Sequence, residues 1–179
     1  MPRNIEIKAA LGGLGGLDAL LPRARALAGG EPTRIEQDDT FFRVPHGRLK
    51  LRQFADGSAE LIHYHRPDSG DAKASDYVRV AVPDAAALRE ALARGCGLLG
   101  RVRKQRWLLI LDEGGFSTRV HLDRVEGLGD FIELEVVLKG SQTDEAGAAV
   151  ADALMERLGL QRAAKLAGSY LDLQQHSVR

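Results

Sequence analysis

Between Arg3 and Ala10 the chain alternates, with Ile5 and Ile7 on one side of an extended segment and Asn4, Glu6 and Lys8 on the other. Successive side chains of a strand point to opposite faces, so this period of two predicts a strand with one apolar and one polar side. Similar strand signals recur over 38–44, 48–54, 59–66, 75–82, 101–111, 117–125 and 130–138. Asp56-Gly57 predicts a two-residue hairpin turn, and Pro45-His46-Gly47 a further turn. Helical spacing replaces the alternation at Leu17, Leu20, Leu21, Ala24 and Leu27, and Gly29-Gly30 stops it. Further helices are predicted over 85–94, after Pro83-Asp84, over 144–158, before Gly159, and over about 162–173. The polar stretches 67–74 and 174–179 predict a loop and a disordered tail. No repeat or linker divides the chain, so residues 1–179 read as a single domain. About eight strands in hairpin-like succession with three or four helices make the class α+β with an antiparallel sheet, which can close into a β-barrel.

The polar faces of these strands are sorted by sign. Arg48, Lys50 and Arg52 share one face; Lys104 and Arg106 share another; Arg119, His121 and Asp123 a third; Glu133 and Glu135 a fourth, opposite Ile132, Leu134 and Val136. Like charges two residues apart repel and gain nothing at the level of the strand, so solvated outer faces explain the sorting poorly. One enclosed space explains it better. By the alternation that space receives Lys8, Arg48, Lys50, Arg52, Arg66, Lys104, Arg106 and Arg119, together with Glu6, Asp123, Glu133 and Glu135. Eight cations against four carboxylates call for a multiply charged anion, and the carboxylates call for a hard cation bridging to it. Mg2+ or Mn2+ fits oxygen ligands, and forked guanidinium groups fit phosphate. The expected ligand is a polyphosphate carried as its metal complex.

Composition narrows the field. Twenty-five basic and 25 acidic residues cancel over 179 positions, so no global field draws nucleic acid or a membrane surface. Cys96 is the single cysteine, which rules out an intrachain disulfide or a cysteine zinc cage. The first residues lack the apolar core of a signal peptide, and no apolar run approaches the ~20 residues of a membrane span, so a cytoplasmic location is expected. His63 and His65 fall on the face opposite Tyr64 and are expected to point outward, while His121 shares a face with Arg119 and Asp123. Gly12 to Gly16 lacks the Lys-Ser/Thr ending of a phosphate loop.

Asn4-Ile5-Glu6-Ile7-Lys8 resembles the N-terminal E-x-E-x-K signature of the CYTH superfamily of class IV adenylyl cyclases, thiamine triphosphatases and related triphosphate tunnel enzymes. The likeness continues in order through Gly47 to Arg52, Glu60 to Arg66, Arg103 to Arg106, His121 to Glu135, and Lys165 near Gly168-Ser169-Tyr170. It implies an eight-stranded antiparallel β-barrel, a triphosphate tunnel open at both ends, with flanking helices. Carried over by position, Glu6, Glu133 and Glu135 resemble metal ligands, with Asp123 a further one. Lys8, Lys50, Arg52, Arg66, Lys104, Arg106 and Arg119 resemble phosphate contacts; Arg48 is less fixed in register. Lys165 resembles a lysine that closes one mouth over the phosphate, although helical spacing alone makes it a surface residue. The catalytic set so implied is Glu6, Lys8, Asp123 and Lys165. Asn4 replaces the first glutamate of the signature, which leaves a second metal site open.

These readings point to a metal-dependent hydrolase of inorganic or organic triphosphates, such as tripolyphosphate or thiamine triphosphate. The alternative is a cyclase that converts ATP to cyclic AMP and pyrophosphate; a diphosphate substrate and a non-catalytic polyphosphate-binding module are further readings. The expected partner is a small triphosphate rather than nucleic acid or membrane, and a homodimer stays open.

Overall fold

The computed structural model describes residues 3–65 and 73–177, and Arg66 lies outside them. Eight strands are present: β1 (Arg3–Ala10), β2 (Thr33–Phe42), β3 (Arg48–Phe54), β4 (Ala59–His65), β5 (Lys73–Ala81), β6 (Leu98–Glu113), β7 (Phe116–Val125) and β8 (Gly129–Leu138). They pair antiparallel into a closed barrel in the order β1-β5-β4-β3-β2-β6-β7-β8. Four helices flank it: α1 (Gly16–Ala28), α2 (Ala85–Gly95), α3 (Asp144–Arg157) and α4 (Tyr170–Ser177). Side-chain caps fix two helix starts. Asp84 accepts from the Ala87 amide at 2.9 Å, and Thr143 from the Ala146 amide at 3.2 Å.

The hydrophobic core lies outside the barrel wall. Ile5, Ile7, Leu109, Val120, Leu122, Ile132, Leu134 and Val136 pack against Leu17, Leu20 and Ala24 of α1 and Ala151, Leu154 and Met155 of α3. Gly147 makes the α3 contact possible, because a Cβ there would stand 2.8 Å from both Ile5 and Leu138. A second cluster sets Phe42, Leu51 and Ala59 under Leu88 and Leu92 of α2. At one end of the barrel Phe41, Val102, Val125 and Phe131 form an apolar layer with Tyr170 and Leu171 of α4. Phe41 and Val102 of that layer line the lumen, whereas for the strands of the first two clusters the face opposite the core looks into it, turned there by apolar burial against the helices. No helix among the described residues is long and apolar enough to cross a membrane.

Three elements differ from expectation. β2 begins at Thr33, not at 38, and β6 starts at Leu98 because the two pair along Thr33–Phe42, while pairing with β7 carries β6 on to Glu113. The helix expected over 162–173 is absent before Tyr170. Among the described residues β5 pairs with Arg3 to Glu6 of β1, and residues 164–166 run beside the Lys8–Ala10 backbone. Leu166 donates its amide to the Lys8 carbonyl at 2.9 Å, Ala10 donates to that of Ala164 at 3.3 Å, and Ala9 bridges Lys165. Helix then begins at Tyr170 and continues to Ser177, into the stretch expected to be disordered.

Candidate functional site

The lumen encloses a cavity of about 400 Å3, within the usual range for small-ligand sites. Glu6 and Lys8 reach it from β1, Lys50 and Arg52 from β3, Lys104 and Arg106 from β6, Arg119 and His121 from β7, and Glu133 and Glu135 from β8. Asn4 also lines it, with Oδ1 buried and without a hydrogen-bond partner. Tyr64 faces the lumen while His63 and His65 are exposed, as the alternation of β4 predicts.

Two like arrangements dominate. On β3, Arg52 donates from Nε and Nη2 to the two oxygens of Asp39, both at 2.7 Å, and Lys50 donates to Oδ2 of the same carboxylate at 2.9 Å. On β6, Arg106 donates from Nε and Nη2 to Asp123 at 2.7 and 2.6 Å, and Lys104 to Oδ2 at 3.1 Å. Each is a Lys-x-Arg segment gripping an aspartate on the neighbouring strand, and each arginine is the aspartate's direct cross-strand partner. A guanidinium carries five N–H donors, so two bonds to an aspartate leave capacity for an anion.

Asp39 was not anticipated from the sequence. It sits in a strand whose predicted start lay at 38, and its role comes from pairing with Arg52, which local alternation does not reveal. Its presence also corrects the expected charge excess. Lys8, Lys50, Arg52, Arg79, Lys104, Arg106 and Arg119 line the cavity against Glu6, Asp39, Glu60, Glu133 and Glu135, with Asp123 buried behind them. Among the described residues the lumen is close to balanced, since buried charges are tolerable only when paired.

Asp123 is fully buried and also accepts from the Tyr170 hydroxyl at 2.9 Å, so its oxygens serve Arg106, Lys104 and Tyr170. It is placed as a counter-ion. Arg48 lies outside the cavity lining and pairs with Asp172 of α4 at 2.7 Å. Lys165 is likewise outside the lining, with Nζ 3.1 Å from Asp152 on α3. The residue that lies there instead is Tyr170, whose ring sits 4.3 Å from the Lys8 ammonium and 4.9 Å from that of Lys104.

The electrostatics follow from burial and pairing. Burial alone would raise the Asp39 and Asp123 carboxyls, but Arg52 with Lys50, and Arg106 with Lys104, hold both well below the usual range. Burial and the neighbouring Arg52 push Lys50 down to about 8, against the pull of Asp39. Burial and Arg106 push Lys104 down to about 7, against Asp123. Burial likewise lowers the His121 imidazole, with Arg106 adding to the effect.

Across the lumen, Glu133 accepts from Arg106 at 3.0 Å and lies 3.4 Å from the Lys8 ammonium, while Glu135 accepts from Arg119 at 3.2 Å. One donor atom from each of His121, Glu133 and Glu135 lies within 4.8 Å of the others. Two carboxylates and a buried imidazole nitrogen are a donor set that suits a divalent cation. Glu6 is the cross-strand partner of Glu135 and lines the same space.

Solved structures share this architecture. The PH1012 protein of Pyrococcus horikoshii is 24% identical, with 95% of this chain and 98% of that one covered and a TM-score of 0.77. A conserved hypothetical protein of Pyrococcus furiosus matches equally, at 24% identity over 95% and 99% and a TM-score of 0.77. A proposed adenylate cyclase of Vibrio parahaemolyticus is 17% identical over 96% and 97%, with a TM-score of 0.74. At these identities the likeness speaks for the fold alone. No curated protein matches the chain. The sequence itself matches the CYTH domain over residues 2–170, nearly the whole length that builds the barrel and its charged lumen. The chain therefore belongs to the CYTH domain family.

Proposed function

We propose that this CYTH protein is a divalent-metal-dependent hydrolase of triphosphates. Family members typically depend on a divalent metal and bind triphosphate substrates. The observation that carries the reading is the pair of Asp-gripped Lys-x-Arg segments on β3 and β6, sharing one lumen with His121, Glu133 and Glu135.

Arg52 and Arg106 bind phosphate oxygens through donors not used by Asp39 and Asp123, and those aspartates fix the forks in place beforehand. Lys8, Lys50 and Lys104 add point charges, and Arg119 supports Glu135. Glu133 and Glu135, with Glu6 beside them, would hold the cation, which would supply charge stabilisation for the reacting phosphoryl group. Water attacks the terminal phosphorus, the bridging P–O bond breaks, and orthophosphate leaves with the remaining diphosphate.

The test is purified protein with Mg2+ or Mn2+ and tripolyphosphate, thiamine triphosphate or ATP, scored for phosphate, pyrophosphate and cyclic AMP. Metal-dependent phosphate release is expected. Cyclic AMP with pyrophosphate would move the reading to a cyclase, and binding without turnover would reduce it to a polyphosphate-binding module.

A further inference from the structure

His121 shares the inward face of β7 with Asp123. Its side chain is 5% exposed, and Nδ1 is buried without a hydrogen-bond partner. That nitrogen faces the glutamates of β8, 3.6 Å from Glu135 Oε1 and 3.7 Å from Glu133 Oε2. Both distances exceed hydrogen-bond length, so an imidazole donating to either carboxylate does not account for the geometry. A buried nitrogen kept unbonded beside two carboxylates calls for a ligand that all three can share.

The surroundings turn the right atoms toward one another. Arg119 holds Oε2 of Glu135, leaving Oε1 as the atom on the His121 side. Arg106 fixes Oε2 of Glu133, and His121 is the direct cross-strand partner of that residue. Two donors each about 2.1 Å from one ion stand about 3–3.5 Å apart, so 3.6 Å is within a few tenths of a chelating pair.

We propose that His121 Nδ1 is a nitrogen ligand of the cation held by Glu133 and Glu135, making this site selective for Mn2+, Co2+ or Zn2+ over Mg2+. It rests on the metal-dependent reading above. The selectivity follows from the donor set: Mg2+ demands oxygen ligands in near-ideal octahedral geometry, whereas imidazole suits the later divalent metals.

The experiment uses the full chain loaded with Mn2+ in the absence of substrate. Pulsed electron paramagnetic resonance should show modulation from a directly bound nitrogen-14 nucleus, and H121Q should abolish it. Calorimetric titration should show H121Q weakening Mn2+ on the order of tenfold or more, as loss of even indirect metal partners does, while Mg2+ changes far less. Bound Mn2+ without nitrogen modulation in the wild type would overturn the assignment whether or not the variant folds, and so would a wild type that binds no Mn2+. Tripolyphosphate turnover by the same preparation separates the two readings. Turnover with no nitrogen signal removes the ligand and keeps the hydrolase; a nitrogen signal without turnover does the reverse.

Discussion

Asp39 and Arg52 face each other across β2 and β3 and are joined by two hydrogen bonds of 2.7 Å, Nε to Oδ1 and Nη2 to Oδ2. Asp123 and Arg106 repeat the same grip across β7 and β6. In each case a lysine two residues before the arginine contacts the same carboxylate. The guanidinium groups are thus oriented before any ligand arrives, so little ordering remains to be done on binding.

Removing one of these counter-ions should destabilise the empty protein more than the liganded one. Asp39→Asn leaves Arg52 and Lys50 buried without their carboxylate, and breaking a buried pair costs about 3–5 kcal/mol. Urea denaturation should show a loss near the lower end, since the lumen is polar. Tripolyphosphate should restore part of it, because the polyanion takes over both cations. If tripolyphosphate stabilises the variant no more than the wild type, these cations are not where the anion binds.

The two lowered lysines make binding pH-dependent. With Lys104 at about 7 in the folded protein and near 10.5 when unfolded, the unfolded chain binds the extra proton between those values. Stability of the empty protein should therefore rise from pH 7 toward 10, with Lys50, at about 8, adding to the upper part. A bound polyanion favours both ammonium forms, so binding takes up protons and affinity falls as pH rises from 7 to 9. Titration calorimetry in two buffers of different ionisation enthalpy measures the uptake, and Lys104→Met should reduce it.

Glu133→Gln and Glu135→Gln should leave the fold intact, because the opposite side of β8 keeps Ile132, Leu134 and Val136 in the core. Each should lower metal affinity or turnover by about 10–100-fold or more, given what loss of even indirect partners costs. Chelator should abolish phosphate release from the wild type. Turnover that survives excess chelator would refute metal dependence, and wild-type rates in both variants would remove the glutamates from the site.

Tyr170→Phe isolates one bond at the α4 end. The ring beside Lys8, Lys104 and Phe131 is kept, while Asp123 loses the hydroxyl that donates to it at 2.9 Å. A stability loss of about 1–3 kcal/mol is expected for a buried acceptor short of one partner. Tyr170→Ala should cost more and weaken triphosphate binding, since α4 then loses its seat in the apolar layer. Equal losses in the two variants would assign the ring no role.

His121 shows how far the residues alone could reach. Its alternation with Arg119 and Asp123 already placed it on the inward face, but the distance to Glu133 and Glu135 depends on how β7 and β8 are registered. Lys165 shows the reverse: helical spacing places it on a helix, yet its segment is drawn out along β1 by hydrogen bonds to the Lys8 and Ala10 backbone.

The sequence by itself determined the eight strands, their inward faces and the charge those faces carry, because a strand's alternation is written in consecutive residues and the apolar side must be buried. Tertiary structure alone decided that Asp39 and Asp123 neutralise the two Lys-x-Arg segments, that Arg48 and Lys165 stand outside the cavity, and that α4 packs on Phe41, Val102, Val125 and Phe131. Those outcomes depend on closure of β1 onto both β5 and β8 and on cross-strand register, which join residues far apart in the chain and leave no local periodicity to read.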